Sequence, residues 1–533
     1  MVKASDLIEQ GRHAEVWQQY CGFLDLDVAQ FMKIQERLLL EELQLVSKSA
    51  LGRMLMGDEP PQTVEAFRRQ IPLTTYDNYA LYFDEQREDV LPEKPIAWAH
   101  SSGRGGRYNW VPYGPIVYRK LGEAALAGFL LCTARQRGEV RLRKGDIFVY
   151  NTPARPYMTA YSMRSLSEQF DFTLVPPLEL AESVGFQERI ELAFRMALKQ
   201  GMDIIGSMSS VMMRIGERFS QGGRSLSFSR DLLHPFVIWR ILRGMVRSKL
   251  EKRSLLPRDL WTLKGAMAGG TDTSIYRPQL AAYWGVEVHE QYGCTEFGIM
   301  ATQAWDRRGM YFLPDIAFYE FIPPDEWERS RQDPAYQPRT LLLSETKPGE
   351  RYEIVMTSLH GGPFLRYRLH DLVQFTPPEE REPSIALPSF IMKGRTADLI
   401  DLAGFTGVID EQSAWRALAA TGLEFVDWSL RKEVERDRPV LHLYIELKAP
   451  TPAEEMHRLL DAELRASNPF YSDIEKLLGY NPLRVTVLPR ETFLHYMRKQ
   501  QEAGADLSHL KPPRLNASDA VIAQLQEIAA TLA

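Results

Sequence analysis

Three cysteines in 533 residues, Cys21, Cys132 and Cys294, are too few and too far apart for a disulfide framework or a tetrahedral zinc site. The ten histidines show no metal-ligand spacing, so no zinc centre is expected. Neither sign of charge is in marked excess: 64 Lys+Arg stand against 70 Asp+Glu, a formal net of −6. That balance argues against nucleic acid or an anionic membrane surface as the main partner. The longest apolar stretch, Ala124 to Cys132, falls well short of the roughly 20 residues that a membrane span needs. The opening MVKASDLIEQGRHAEVW lacks the apolar region of a secretory leader. These absences lead to the expectation of a soluble, cytoplasmic protein in a reducing compartment. No internal repeat or low-complexity tract is visible.

What is present is globular usage: 44% hydrophobic, 11% aromatic and 25% charged residues. At about 150 residues per domain the length suggests three to four units. Apolar positions recur at three- and four-residue spacing from Val16 through Met56, predicting helix until the DEPP at 58–61. From about 95 to 320 short apolar runs alternate with helical patterns: KGDIFVY, ERIELAFRMALKQG, DIIGSMSS, VMMRIGERF, WTLKGAMAGG, RPQLAAYWG and VEVHEQYG. That rhythm predicts parallel pairing and a doubly wound α/β core. After 310 the runs AFYEFIP, RTLLLSET, YEIVMTS and RYRLHDLVQF read as short strands of an antiparallel, barrel-like unit, with loops at 323–338 and 376–388. Beyond about 393 helices (EQSAWRALAATG, AEEMHRLLDAEL) alternate with strands (LHLYIELK, LRVTVLP) in a smaller α+β unit. The expected division is a large domain over 1–393 and a small mobile one over 394–533.

Three stretches have chemical potential. HSSGRGGRYNWVPYG (100–114) can lay backbone N–H groups and two hydroxyls around phosphate oxygens, or be a flexible turn. EQYGCTEFG (290–298) follows the strand VEVH at the end where α/β folds bind ligands. Its Tyr can stack on a base, its Thr donate to a phosphate and its Glu hold Mg²⁺; the alternative is a polar strand-to-helix turn. RYRLHDLVQF (366–375) embeds Asp371 in an apolar run, to hold two ribose hydroxyls or to pair with Arg366 or Arg368. Cys294, beside Thr295, has no His at a motif-defined distance and reads as a small apolar filler of the turn.

With KGRTADLIDLAG (393–404) and SHLKPPRL (508–515), these motifs follow the chain order of the adenylate-forming ligases. The closer resemblance is to the plant auxin-responsive acyl-acid amido synthetase family and its bacterial relatives, over roughly residues 65 to 516. It rests on FRRQIPLTTYDNY, ARPYMTAYSM, YEIVMTSLHGGPFLRYRLHDLVQF and ETFLHYMRKQQEAGADLSHLKPPRL. A second similarity, to phenylacetate-type coenzyme A ligases, rests on AGGTDTS and EQYGCTE.

The resemblance implies that Ser101, Ser102, Gly103 and Arg104 lie in the phosphate loop, and that Gly270 of AGGTDTS also borders the nucleotide. By the same resemblance Tyr292 packs on adenine, Thr295 contacts the α-phosphate, Glu296 holds Mg²⁺, and Asp371 and Arg395 lie at the ribose. Asp398 matches the hinge and Lys511 the lysine that bridges substrate carboxylate and α-phosphate, so Lys511 and Thr295 are the implied catalytic pair. Several positions depart from the family pattern. Arg104 and Gly105 replace a hydroxyl pair, Asn109 stands where Lys is usual, His370 where Gly is common, and Ala397 where the hinge signature has Asp. Arg104 or Arg107 can replace the lost positive charge. The implied function is ATP- and Mg²⁺-dependent activation of a carboxylic acid as acyl-AMP, with transfer to an amine such as an amino acid. Transfer to coenzyme A as thiol acceptor, and a non-catalytic nucleotide or acyl-adenylate binder, are the alternatives. Tyr157, Met158 and Met208 are candidates to line an apolar or aromatic acid pocket.

Overall fold

The structure is a computed structural model describing all residues except 1, 58, 101–108, 152–153, 221–233, 270–272, 334, 396–399, 402–407, 436–437, 468–470, 472–479, 503–510 and 533. Chain contacts divide it into two units. One comprises residues 1–103, 108–369 and 373–392, the other 104–107, 370–372 and 393–533.

The first unit opens with helices Ala4–Glu9, His13–Cys21, Val28–Val46 and Ala50–Met56, as the apolar spacing predicts. Asp27 starts the longest by a capping box: its carboxylate accepts the Gln30 N–H at 2.7 Å, and the Gln30 side chain accepts the Asp27 N–H at 2.9 Å. A two-stranded antiparallel ribbon follows, β1 (Ala97–His100) and β2 (Trp110–Tyr113). Strands β3 (Ile147–Tyr150), β4 (Thr173–Val175), β5 (Ile204–Met208), β6 (Gly265–Gly269) and β7 (Val288–His289) then form a sheet of order β4-β3-β5-β6-β7, parallel at every pairing. The alternation of helix and strand has the predicted outcome. Helix Phe186–Gln200 stops at Gly201, whose φ of +116° suits a residue without Cβ.

At Glu290 the chain leaves this sheet. Strands β8 (Gln291–Cys294), β9 (Gly298–Gln303), β10 (Met310–Phe312), β11 (Ala317–Ile322), β12 (Arg351–Ser358), β13 (Tyr367–Phe375) and β14 (Phe390–Arg395) form a second sheet, of order β11-β12-β13-β14-β10-β9-β8. Its barrel-like curl shows in side chains: three strands lie between β13 and β8, yet the Tyr367 ring at the head of β13 lies 6.0 Å from that of Phe297 in the β8–β9 turn. The run Ala124–Cys132 lies inside helix Pro115–Thr133, which packs against both β6 and β9. From Leu121 to Thr133 every residue of it but Glu123 is buried, which makes that part a core helix between two sheets.

Two expectations are corrected here. The stretch 323–338 contains the helix Pro324–Gln332, because Pro at the first position and Asp325 and Glu326 in the first turn all favour a helix start. RTLLLSET is not a strand. Only Leu341 bridges to Phe321, and Leu343–Glu345 tightens into a 3₁₀ turn in which Glu345 accepts the Leu342 N–H at 2.7 Å.

The second unit pairs a short ribbon, β15 (Ile400–Asp401) with β16 (Val408–Ile409), and builds a sheet from β17 (Phe425–Glu435), β18 (Arg438–Leu447) and β19 (Leu483–Leu488). Strand β17, the longest of the chain, was absent from the predicted elements. Helices Glu411–Ala420 and Ala453–Ser467 accompany this sheet, and its core centres on Trp428, Leu441, Leu443 and Ile445.

Candidate functional site

The first unit presents Tyr292, Thr295 and Glu296 on one hairpin. EQYGCTEFG is not a strand-to-helix turn: β8 pairs antiparallel with β9, and Thr295–Phe297 is the turn between them. The polar residues fit because β8 is the end strand of its sheet, where backbone groups need partners. One is given: the Tyr113 hydroxyl donates to the Thr295 carbonyl at 2.6 Å. Tyr292 is buried, 6% exposed, with its ring edge-to-face on Phe390 at 6.1 Å.

Glu296 is half-buried and faces phenols. The Tyr367 hydroxyl donates to its carboxylate at 3.4 Å. Burial, reinforced by the Glu296 charge, pushes the Tyr367 hydroxyl far above its ordinary value. Burial, then Cys294 and then Glu296, raise Tyr113, and Glu296 adds to the burial that raises Tyr76. These phenols therefore stay protonated and remain donors toward the carboxylate. Among the described residues no cluster of three His, Cys, Asp or Glu could cage a metal. A single half-exposed carboxylate fits Mg²⁺, which keeps water and takes most of its remaining ligands from substrate phosphates.

The segment FRRQIPLTTYDNY is stitched to the head of β13. The Thr74 N–H donates to the Arg366 carbonyl at 2.9 Å, and the Arg368 N–H to the Thr74 carbonyl at 2.8 Å. Arg366 itself is buried and uses all five of its donors: bidentate to Glu320 at 3.1 and 2.9 Å, to the carbonyls of Arg68 and Ile71 at 2.7 and 2.6 Å, and to Thr340 Oγ1 at 3.1 Å. Arg368 forks onto Glu353 at 2.7 and 2.8 Å. Both arginines once open to Asp371 as partners are thus committed to other carboxylates. Asp371 is buried on β13, 6% exposed. The neighbouring His370 has a φ of +62°, a left-handed backbone that glycine adopts without strain. Its place in a motif where Gly is common now has a conformational reason.

Before the loop, His100 ends β1 against two aromatic rings, Tyr157 at 4.5 Å and Trp110 at 5.2 Å, both edge-to-face. Met158 opens the helix Met158–Gln169, and half-buried Met208 closes β5. The loop residues Ser101, Ser102, Gly103 and Arg104 lie outside the described residues, as do Gly270 and Asp398. Arg395 ends β14, and its side chain is likewise outside the description.

The second unit holds Lys511. Its ammonium pairs with Asp427 at 3.0 Å, the lysine side chain 52% exposed and the aspartate 8%. The segment that follows is fastened to β17 like a short added strand. The Leu430 N–H donates to the Arg514 carbonyl at 2.7 Å, the Asn516 N–H to the Leu430 carbonyl at 2.9 Å, and Ser429 Oγ to the Pro513 carbonyl at 2.8 Å. Arg514 lies 4.4 Å from the Trp415 ring centroid, with its guanidinium on Glu411 at 3.0 Å. Asp427, Tyr76, Tyr113, Tyr367 and His100 are the site neighbours that sequence reasoning missed. None sits at a fixed spacing from the residue it serves.

Comparison with known proteins matches residues 22–221 to the GH3 family N-terminal domain, 310–389 to the GH3 family central domain and 410–520 to the GH3 family C-terminal domain. The probable indole-3-acetic acid-amido synthetase GH3.2 of Oryza sativa subsp. japonica is 25% identical over 216 residues, 38% of this chain and 34% of that protein. The match thus spans about a third of that relative's length. The probable indole-3-acetic acid-amido synthetase GH3.4 of the same plant is 23% identical over 559 aligned positions, 90% of this chain and 85% of that one. Among solved structures, the AtGH3.15 acyl acid amido synthetase in complex with 2,4-DB superposes with a TM-score of 0.67 at 16% identity, over 99% of this chain and 97% of that one. At that identity the likeness carries the fold.

Proposed function

The chain belongs to the GH3 family, and from that premise we propose that it is an ATP- and Mg²⁺-dependent ligase that activates a carboxylic acid as acyl-AMP and transfers the acyl group to an amine such as an amino acid. The observation that carries this reading is the succession of all three family domains between residues 22 and 520, in order.

In the first half-reaction a carboxylate oxygen of the acid forms a bond to the α-phosphorus of ATP, and the bond to pyrophosphate breaks. In the second, an amine nitrogen bonds to the acyl carbon, the bond to AMP breaks, and the nitrogen loses a proton to solvent. Glu296 would hold Mg²⁺, which would supply positive charge against the phosphates. Thr295 donates to the α-phosphate and Tyr292 borders the adenine, while Asp371 and Arg395 hold the ribose. Ser101, Ser102, Gly103, Arg104 and Gly270 border the phosphates. Lys511 bridges the acid and the α-phosphate, and its cation is most useful where charge moves from one to the other. Its resting partner supports that role. Asp427 is itself a carboxylate, so the lysine exchanges one anion for another of the same kind. Residues 1–393 and 394–533 act as two domains, the smaller turning about Asp398 between the half-reactions. A cytoplasmic location suits the ATP requirement and the free thiols of Cys21, Cys132 and Cys294.

The test is a pyrophosphate-release screen over aromatic, fatty and amino acids, followed by product mass with amino acids or coenzyme A as acceptor. An acyl-amide product is expected. A thioester would move the acceptor to coenzyme A, and ATP binding with no pyrophosphate release for any acid would leave only a binder.

A further inference from the structure

The helix Pro235–Leu250 buries one face and leaves the other bare. Val237, Gly244 and Ser248 form the buried face, which packs on helices Phe186–Gln200 and Pro257–Leu260. A Cβ on Gly244 would come within 2.9 Å of Leu255, so the helix lies close against that support and its orientation is fixed. On the opposite face Trp239, Leu242, Val246 and Leu250 follow at steps of three and four residues, with Phe236 beside them. All five are exposed, from 57% at Leu242 to 78% at Leu250. A contiguous apolar stripe of this size on a soluble surface marks a binding face.

The charge around it is one-sided. Six of the 19 residues from Pro235 to Arg253 are cationic and one, Glu251, is acidic, in a chain whose net charge is −6. Arg240 is turned inward, donating to the carbonyls of Ala197 and Leu198, and Arg247 meets Glu251 at 3.3 Å. Lys249 and Lys252 remain exposed at the rim, while Arg243, exposed among the apolar residues, donates to the Leu260 carbonyl at 3.3 Å and lies 5.0 Å from the Trp239 ring centroid.

We propose that this helix is an interfacial membrane-binding element: its apolar face lies in the headgroup region of an anionic bilayer, with Lys249 and Lys252 reaching the lipid phosphates. Bulky aromatic and aliphatic groups flanked by cations with long apolar stems are what such a surface takes up. A second copy of the chain is a poor occupant. Two-fold pairing through this face sets the same cations against one another, whereas anionic headgroups complement them. The helix lies on the bilayer and does not cross it, being 16 residues long. This reverses, for one face, the expectation drawn from the chain's overall charge, which averages a local cationic patch away.

The test is co-sedimentation of the full chain with vesicles of phosphatidylcholine alone or of phosphatidylcholine and phosphatidylglycerol in equal amounts, at low and high salt. Binding to the anionic vesicles at low salt is expected to exceed that to neutral ones by about tenfold or more. Two double variants, Trp239→Gln with Leu242→Gln and Lys249→Gln with Lys252→Gln, should each lower it by about tenfold. Unfolding temperature and pyrophosphate release of both should match the parent, since the altered side chains are exposed and outside the proposed active site. The proposal is overturned by absence of vesicle binding, by equal binding to both lipids, or by variants that bind like the parent. A dimer in sedimentation velocity that the first double variant breaks, with no lipid bound, would assign the face to a second copy.

Discussion

The hairpin that presents Glu296 and the segment that presents Lys511 are built on opposite plans. Around Glu296 two phenols hold the turn: Tyr113 donates to the Thr295 carbonyl at 2.6 Å, and Tyr367, on a strand far away in sheet order, reaches the carboxylate at 3.4 Å. Lys511 is tied by a single ion pair and is half exposed. The first arrangement suits groups that bind the same atoms throughout a reaction. The second suits a group that arrives, works and leaves.

The rigid half can be broken at its foundation, and this should be the largest effect. Arg366→Ala leaves Glu320, which is fully buried, without its bidentate partner, and frees the Arg68 and Ile71 carbonyls. Removing one member of a buried pair costs about 3–5 kcal/mol. Chemical denaturation should show the first unit losing that much, with Glu296-dependent nucleotide binding failing alongside. A variant as stable as the parent would remove the contrast.

Lys511 should fail differently. Lys511→Ala is expected to slow pyrophosphate release about 10²–10³-fold, the range for removing one group that stabilises developing charge. ATP affinity and unfolding temperature should barely change, because Arg514, 3.5 Å from Asp427, still faces the aspartate. Release at the parent rate would return Lys511 to a surface ion pair.

The buried charges of the first unit also predict where its stability depends on pH. Glu42, 2% exposed, accepts the Gly361 N–H at 2.8 Å. Burial, with Glu93 acting the same way and that N–H opposing, pushes its carboxyl up to about 8 from the ordinary 4.5. Between those values the unfolded chain has lost a proton that the native protein keeps, so stability is full below about 4.5 and falls as pH rises through 8. At about 1.4 kcal/mol per pH unit, the loss by pH 7 is about 3 kcal/mol. Glu42→Gln should flatten this slope in unfolding temperatures taken from pH 5 to 8. Parallel slopes for parent and variant would contradict the assignment.

Much of the fold was legible because local chemistry and global fold agree. ERIELAFRMALKQG has helical periodicity and a Gly that takes φ +116°, and DIIGSMSS is too short and apolar for anything but a buried strand. FVDWSLRKEVE was not legible: five charged residues in eleven hide a strand that buries Trp428 and Leu430 on one side. At the site, the motif residues were visible through resemblance and their partners were not. Tyr367 lies 71 residues from Glu296, and no spacing rule joins them. His370 was visible as a departure, and its meaning needed the backbone. A left-handed residue other than Gly costs about 1–2 kcal/mol, although His tolerates that region better than branched residues do.

The smallest effect is the most discriminating. Asp427 keeps Lys511 near β17, and a half-exposed pair of this kind is worth about 0.2–1 kcal/mol. Asp427→Asn keeps the shape of the side chain and its acceptor oxygen for the Trp428 N–H, bonded at 3.1 Å, but removes the charge that holds the lysine. If that pair is a resting place, losing it leaves adenylation as fast as in the parent or a few-fold faster, since Lys511 no longer has to abandon a competing carboxylate, while Arg514, 3.5 Å from Asp427, keeps Glu411 at 3.0 Å as its other carboxylate. If Asp427 instead positions the lysine for chemistry, the same variant slows pyrophosphate release while ATP affinity stays put. Single-turnover rates with saturating ATP separate the two, because they report the adenylation step without product release. A slowed step at unchanged affinity would mean that Asp427 positions Lys511 and is more than its resting partner.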